Sequence, residues 1–175
     1  YMEQWFALYV QPRKEKLVEK ELTKHSFVNY LPLKREVHKW SDRKKTVMCP
    51  LIPSYIFVKV KKEELYNVLQ IVGAVRFIYF DKKPAPIPDK QIQDIKTFLE
   101  NKVNITLEPM SFEKGDKVRI VDGRFKGAEG LIIVGKDNKK RFKIRISNLL
   151  MDLDIEFDEK EMENMQKIEE DDKNN

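Results

Sequence analysis

The chain has 175 residues, 34 Lys and Arg against 29 Asp and Glu, and 41% apolar residues, enough for a folded core in one large domain or two small ones. No apolar run approaches the roughly twenty residues needed to cross a bilayer, the opening YMEQWFALYV lacks the form of a signal peptide, and the single cysteine, Cys49, excludes an internal disulfide. The net charge of +5 is unevenly spread: residues 1–150 carry 31 basic against 18 acidic side chains, and residues 151–175 carry 3 against 11.

A basic body draws anionic partners such as nucleic acid, and an acidic tail can compete with them, although solubility alone also accounts for such charge. The protein is expected to be soluble, cytoplasmic and monomeric, with no membrane partner. Tyr1 ahead of Met2 reads as a remnant, with Met2 the expected native start.

Trp5 to Val10 reads as a buried strand. Pro12 then opens a helix expected from Arg13 to about Ser26, since proline is tolerated in a first helical turn. Leu17, Val18 and Leu22 form its apolar side, and Arg13, Lys16, Lys20 and Lys24 line up at steps of three and four as a basic stripe. That stripe suits a row of phosphates, or it is a solvated face balanced by Glu15, Glu19 and Glu21.

From Phe27 to Val60 the text is strand-like, broken by the polar tip SDRKK and by Pro50 and Pro53, which mark a bend around Leu51 and Ile52. Tyr55 to Val60 is rich in aromatic and β-branched residues and is expected in the core. KKEELYNVLQ predicts a short helix, Gly73 a turn, and Val75 to Phe80 another strand. A proline-rich loop leads to Asp89, the expected N-cap of a helix with Ile92, Ile95 and Leu99 on one face.

This β-α-β-β-α-β-α order predicts an α+β sandwich with a mostly antiparallel sheet flanked by helices. Lys102 to Ser111 reads as a linker. In Phe112 to Gly135, Val118 and Ile120 alternate in one run and Leu131 and Ile133 in the next, around Gly123, Phe125, Gly127 and Gly130. Period-two runs interrupted by glycines predict strands joined by a kinked turn in a small, curved β-barrel over residues 112–157. Residues 158–175 are highly charged and are expected to be frayed or disordered.

Catalysis, metal and cofactors are not expected. His25 and His38 lie in different elements, no second cysteine joins Cys49, the turn GRFKGAEG lacks a P-loop ending, and no serine occupies a GxSxG elbow. The tip around Lys39, Trp40 and Arg43 interleaves an aromatic ring with cations, as a loop that stacks on an unpaired base would, or as an exposed hairpin end. The strand aromatics Trp5, Phe6, Tyr9, Tyr55, Phe57, Phe77, Tyr79 and Phe80 must face both sides of the sheet, so one side is either an apolar docking patch or covered by helices.

The opening WFALYVQPRKEKLVEKEL, the block CPLIPSYIFV, the run GAVRFIYF followed by KPAPIP, and the KOW-like glycine segment stand in an order that resembles the NusG family of transcription elongation factors. EVHKWSDRKKTVMCPLIPSYIFVKV is most similar to the specialised UpxY-type, RfaH-like antiterminators of long polysaccharide-biosynthesis operons. The resemblance implies an N-terminal domain (1–101) that binds RNA polymerase, a linker (102–111), a KOW domain (112–157) that recruits a ribosomal protein or termination factor, and an acidic tail (158–175).

It further implies that Tyr9, Ile52, Tyr55, Phe57 and Phe80 meet the clamp helices of the polymerase. Arg13, Lys16, Lys20, Tyr66, Asn67 and Arg76 would lie beside the non-template DNA strand. Ile52 departs from the family pattern, where an aromatic is common, and Cys49 replaces a polar or acidic residue. A general elongation factor of the family and a KOW-containing ribosome-associated RNA-binding protein are the alternative readings.

Overall fold

Hydrophobic alternation organises the first of two units, Tyr1–Asp89, around strand β1 (Gln4–Val10). The computed structural model describes residues 2–169. After β1 come helix α1 (Glu15–Lys24), β2 (Val28–Tyr30), β3 (Leu33–Lys39), β4 (Lys44–Pro50), β5 (Tyr55–Val60), α2 (Leu65–Val68), β6 (Ala74–Phe77), β7 (Tyr79–Phe80), β8 (Lys83–Pro84) and β9 (Pro86–Ile87). The main sheet runs β2-β5-β1-β6, with β9 also paired to β1, and these pairings are antiparallel.

Residues directly opposite each other in the ladder share a face. Phe6 pairs with Val58, Leu8 with Ile56 and Phe77, and this face packs with Val18 and Leu22 of α1 and Leu65 and Val68 of α2 in one core. The other face carries Trp5 opposite Lys59, Ala7 opposite Phe57, and Tyr9 opposite Tyr55 and Arg76. Glu15, itself buried, accepts a 3.0 Å hydrogen bond from the Ser54 N–H, which ties the bend around Leu51 and Ile52 to α1. Strands β3 and β4 form a separate two-stranded ribbon.

Helix α1 is shorter than the sequence suggests. Arg13 takes a left-handed backbone (φ 67°), so Pro12 and Arg13 belong to a turn and the helix starts at Glu15. Leu17, expected on the apolar side, is exposed, because Val18 and Leu22 already fill the stripe that meets the sheet.

The second unit, Lys90–Asn175, takes in all but the first residue of α3 (Asp89–Glu100) and holds β10 (Ile105–Pro109), β11 (Asp116–Ile120), β12 (Glu129–Val134), β13 (Lys140–Ile146), β14 (Met151–Ile155), α4 (Glu159–Glu163) and β15 (Met165–Lys167). Its six strands pair in the order β10-β14-β13-β12-β11-β15, all antiparallel. The chain is thus a mixed α/β protein built on antiparallel sheets.

Two expectations change here. Residues 102–111 were expected to be a linker; instead Ile105–Pro109 is a strand paired to β14, with Ile105 buried. Residues 158–175 were expected to be frayed; within the described part Asp158 caps α4 through the Glu161 N–H at 2.7 Å, Arg124 pairs with Glu161 at 2.8 Å, and β15 adds to the β11 edge. Missing periodicity and Pro109 hid the first and the run of charges hid the second, because short edge strands need few apolar residues. Residues 170–175 of the tail lie outside the described residues.

The glycine-rich segment does turn the chain between β11 and β12. Gly127 has φ 96° and its N–H donates to the Ile120 carbonyl at 2.8 Å. Gly130 is extended but crowded: a Cβ there would lie 2.5 Å from Cζ of Phe142 and 2.8 Å from the Lys143 carbonyl oxygen. The backbone oxygen cannot swing away without breaking the β12–β13 ladder, so Gly130→Val is expected to destabilise the unit by about 1–3 kcal/mol. Thermal unfolding of the full chain measures this, and an unchanged midpoint would refute the close approach.

Candidate functional site

The second face of the first unit's sheet concentrates aromatic and cationic groups. Tyr9 and Tyr55 meet edge-on with ring centroids 5.5 Å apart, and the Arg76 guanidinium lies 5.4 Å from the Tyr9 ring centre, within cation–π range. Both tyrosines are half-buried, because each lies directly across the ladder from the other at the end of β1 and β5. Phe80, on the small β7–β8 hairpin, is 74% exposed and its neighbour Tyr79 is 56% exposed.

The remaining two residues expected on an exposed docking face behave differently. Phe57 is on the same side as Tyr9 and Tyr55 but is 0% exposed, and Ile52 is 1% exposed. Alternation told which face Phe57 takes, not whether that part of the face is covered. Both side chains belong to the interior and cannot serve as surface contacts.

The residues expected at nucleic acid are exposed but fall into three groups. Lys16 and Lys20 project from α1 with Arg13 at its entry, and Tyr66 and Asn67 project from α2, on the helical side of the sheet. Lys39, Trp40 and Arg43 stand at the end of the β3–β4 ribbon, where the Trp40 N–H donates to the Arg43 carbonyl at 2.9 Å around Ser41 and Asp42. Arg76 leaves both groups: its strand position opposite Tyr9 puts it on the other face of the sheet.

The ribbon carries a cluster that its sequence did not announce. Glu36 and His38 are two apart in β3 and therefore share a face, and the register Lys34 to Cys49 brings Cys49 to the same face. His38 Nε2 lies 3.3 Å from Glu36 Oε2 and 3.8 Å from Cys49 Sγ. Hydrogen bonds from His38 and then Cys49 hold the exposed Glu36 carboxyl below its ordinary range, while burial, followed by the bond to Glu36, pushes the Cys49 thiol up.

Metal binding was not expected, yet three ligand-type groups converge here. Fixing the turn at Ser41-Asp42 would have revealed it, since that turn sets the register that pairs Cys49 with the Glu36 and His38 side.

Together these features define a two-unit protein of mixed α/β class whose accessible chemistry is aromatic and basic surface. A family model described as transcription termination factor nusG matches residues 3–96, more than half of the chain. The chain belongs to the NusG family, whose members are non-enzymatic transcription factors.

It is 27% identical over 116 residues to the transcription termination/antitermination protein NusG of Borreliella burgdorferi, covering 61% of this chain and 63% of that one. It is 26% identical over 116 residues to the protein of that name from Buchnera aphidicola, covering 63% of each. The matched segment therefore spans less than two thirds of these relatives. A solved structure titled "Domain interaction in Thermotoga maritima NusG" aligns over 95% of this chain and 98% of that chain with a TM-score of 0.50 at 18% identity, a likeness of fold. Among the described residues no helix is long and apolar enough to cross a membrane.

Proposed function

We propose that the chain acts as a transcription elongation and antitermination factor that binds RNA polymerase through the Tyr9, Tyr55 and Arg76 face of its first unit, with Phe80 at the margin. Family membership supports the partner, and the half-buried tyrosine pair is the observation that carries the surface. Tyrosine and arginine concentrate binding energy because they bury large, rigid area with a polar handle. Binding there disfavours an open, paused polymerase by selecting one of its states, a population shift without a reaction.

In this reading Arg13, Lys16 and Lys20 hold phosphates of the non-template strand, Tyr66 and Asn67 address its bases, and Lys39, Trp40 and Arg43 extend the same basic path along the ribbon. The segment 112–157, with its glycine turn, serves as the KOW domain and recruits a ribosomal protein or termination factor. The specialised role on long polysaccharide-biosynthesis operons rests on the likeness of residues 36–60 to UpxY-type factors. The names of the curated relatives favour a general elongation factor instead, and genome-wide occupancy separates the two: a specialised factor concentrates on few operons.

Capture of core RNA polymerase by the purified chain tests the central claim. The Tyr9→Ala, Tyr55→Ala double variant is expected to weaken binding by about 2 kcal/mol or more, roughly 30-fold, as removal of a hot-spot pair does. Full retention of binding by a folded variant would remove this face from the reading. Phe57→Ala is unsuitable for the purpose, since it empties an interior site.

A further inference from the structure

We propose that Glu36, His38 and Cys49 form a binding site for a divalent transition-metal ion of the zinc type on the β3–β4 ribbon. In a tetrahedral zinc site with ligand bonds of about 2.0–2.3 Å, neighbouring ligand atoms lie about 3.3–3.7 Å apart. Two edges of this cluster are 3.3 Å, Glu36 Oε2 to His38 Nε2, and 3.8 Å, Cys49 Sγ to His38 Nε2, and all three atoms lie within 4.8 Å of one another. An ion can therefore be received by small side-chain rotations, without moving the strands.

The donor set is selective. One thiolate, one imidazole and one carboxylate suit a borderline-soft ion and not magnesium or calcium, which take oxygen ligands. A thiolate and a carboxylate balance a charge of two, so the bound site is neutral on a ribbon otherwise rich in cations. Glu36 and His38 are exposed and Cys49 is half-buried, so the fourth tetrahedral position faces solvent and takes a water or an external ligand.

The consequence is mechanical. An isolated two-stranded ribbon is marginally stable in water, and here its far end carries Lys39, Trp40 and Arg43. A metal bridging β3 to β4 fixes the register, and His38, whose ring centre is 6.1 Å from that of Trp40, couples the ion to the tip. The site would thus present the aromatic and basic tip in one orientation, independently of whether that tip meets nucleic acid.

Titration of the tag-free full chain with Zn(II) by calorimetry, and with Co(II) by absorption, tests the proposal. The expected result is one ion per chain and, with Co(II), a near-ultraviolet sulfur-to-cobalt charge-transfer band with the visible intensity of a tetrahedral ion. Cys49→Ser and His38→Gln should each abolish the one-to-one Zn(II) binding and Glu36→Gln should weaken it, because each removes a direct ligand, while His25→Gln leaves it unchanged. Amide exchange across residues 33–50 should slow when Zn(II) is added. Absence of the charge-transfer band in the wild-type chain overturns the proposal whatever the variants do. So does Zn(II) binding that survives Cys49→Ser and His38→Gln, or that follows His25.

Discussion

Arg145→Met is expected to destabilise the second unit by about 3–5 kcal/mol, the usual cost of removing one member of a buried ion pair. Asp152 is 0% exposed and depends on Arg145 twice, through Nε to Oδ1 at 2.9 Å and Nη2 to Oδ2 at 3.1 Å. The same guanidinium donates to the Ser111 carbonyl at 2.8 Å, and the Ser111 N–H returns a 3.0 Å bond to Asp152. Loss of Arg145 leaves a carboxylate without its cation and releases the chain between β10 and β11. Replacing both partners, Arg145→Met with Asp152→Leu, should recover much of the loss, because a well-packed apolar pair avoids the desolvation cost. Urea unfolding of the three proteins checks this, and equal midpoints for wild type and Arg145→Met would refute it.

The pair also predicts a pH signature. Burial by itself raises the Asp152 carboxyl, but the hydrogen bond from Arg145 and that from Ser111 outweigh it, and its pKa lies below the ordinary value. A depressed carboxylate stabilises the fold fully above the unfolded Asp pKa, and that contribution disappears as pH falls through the folded pKa. Asp94 and Asp154 run the other way: burial raises both, so the fold favours their protonated forms and gains relative stability as pH falls towards their range. In Arg145→Met the burial of Asp152 is no longer opposed by its cation. Its carboxyl joins the raised set, so the variant's deficit should begin to shrink as pH falls through that raised range and go on shrinking until pH has passed below the depressed wild-type pKa.

What the sequence made legible follows from how local each signal is. Strands β1, β5, β11 and β12, the bend at Leu51 and Ile52, and the turn of Gly123, Gly127 and Gly130 rest on patterns within a few residues, and each stands close to its expected place, whereas β10 and β15 stand where a linker and a frayed tail were expected. The docking face was legible only in part. Alternation puts Tyr55 and Phe57 on one side of β5, and the family resemblance set Tyr9 beside them, yet nothing local distinguishes the half-buried tyrosines from the fully buried phenylalanine. Arg76 was assigned by its neighbourhood in the chain, whereas the ladder pairs it with Tyr9 across the sheet. The Glu36, His38 and Cys49 cluster escaped for the same reason: it depends on the register of a hairpin, and a count of histidines and cysteines carries no register.

Helix α3 shows the limit most sharply and supports the last prediction. Its amphipathic pattern says that one side is apolar, not which element that side meets, and the helix was assigned to the N-terminal domain with Ile92, Ile95 and Leu99 as its inner face. In the structure Ile92, Ile95 and Phe98 are the buried apolar residues, with Asp94 buried beside them, and Leu99 is only half-buried. Phe98 lies 5.1 Å from the Phe125 ring, 5.6 Å from Phe157 and 5.9 Å from Phe142. Phe157 in turn lies 5.4 Å from Phe125 and 5.1 Å from Phe142. These four rings join α3 to the β11–β12 turn, to β13 and to the residues after β14. Phe98→Ala is therefore expected to cost about 3–5 kcal/mol, the lost transfer energy plus the cavity among three rings that the surrounding strands cannot close. Leu99→Ala should cost much less, because its site opens to solvent and collapses easily. Unfolding of the two variants of the full chain decides between the two faces: a larger loss for Leu99→Ala than for Phe98→Ala would restore the sequence-based face and refute the aromatic packing.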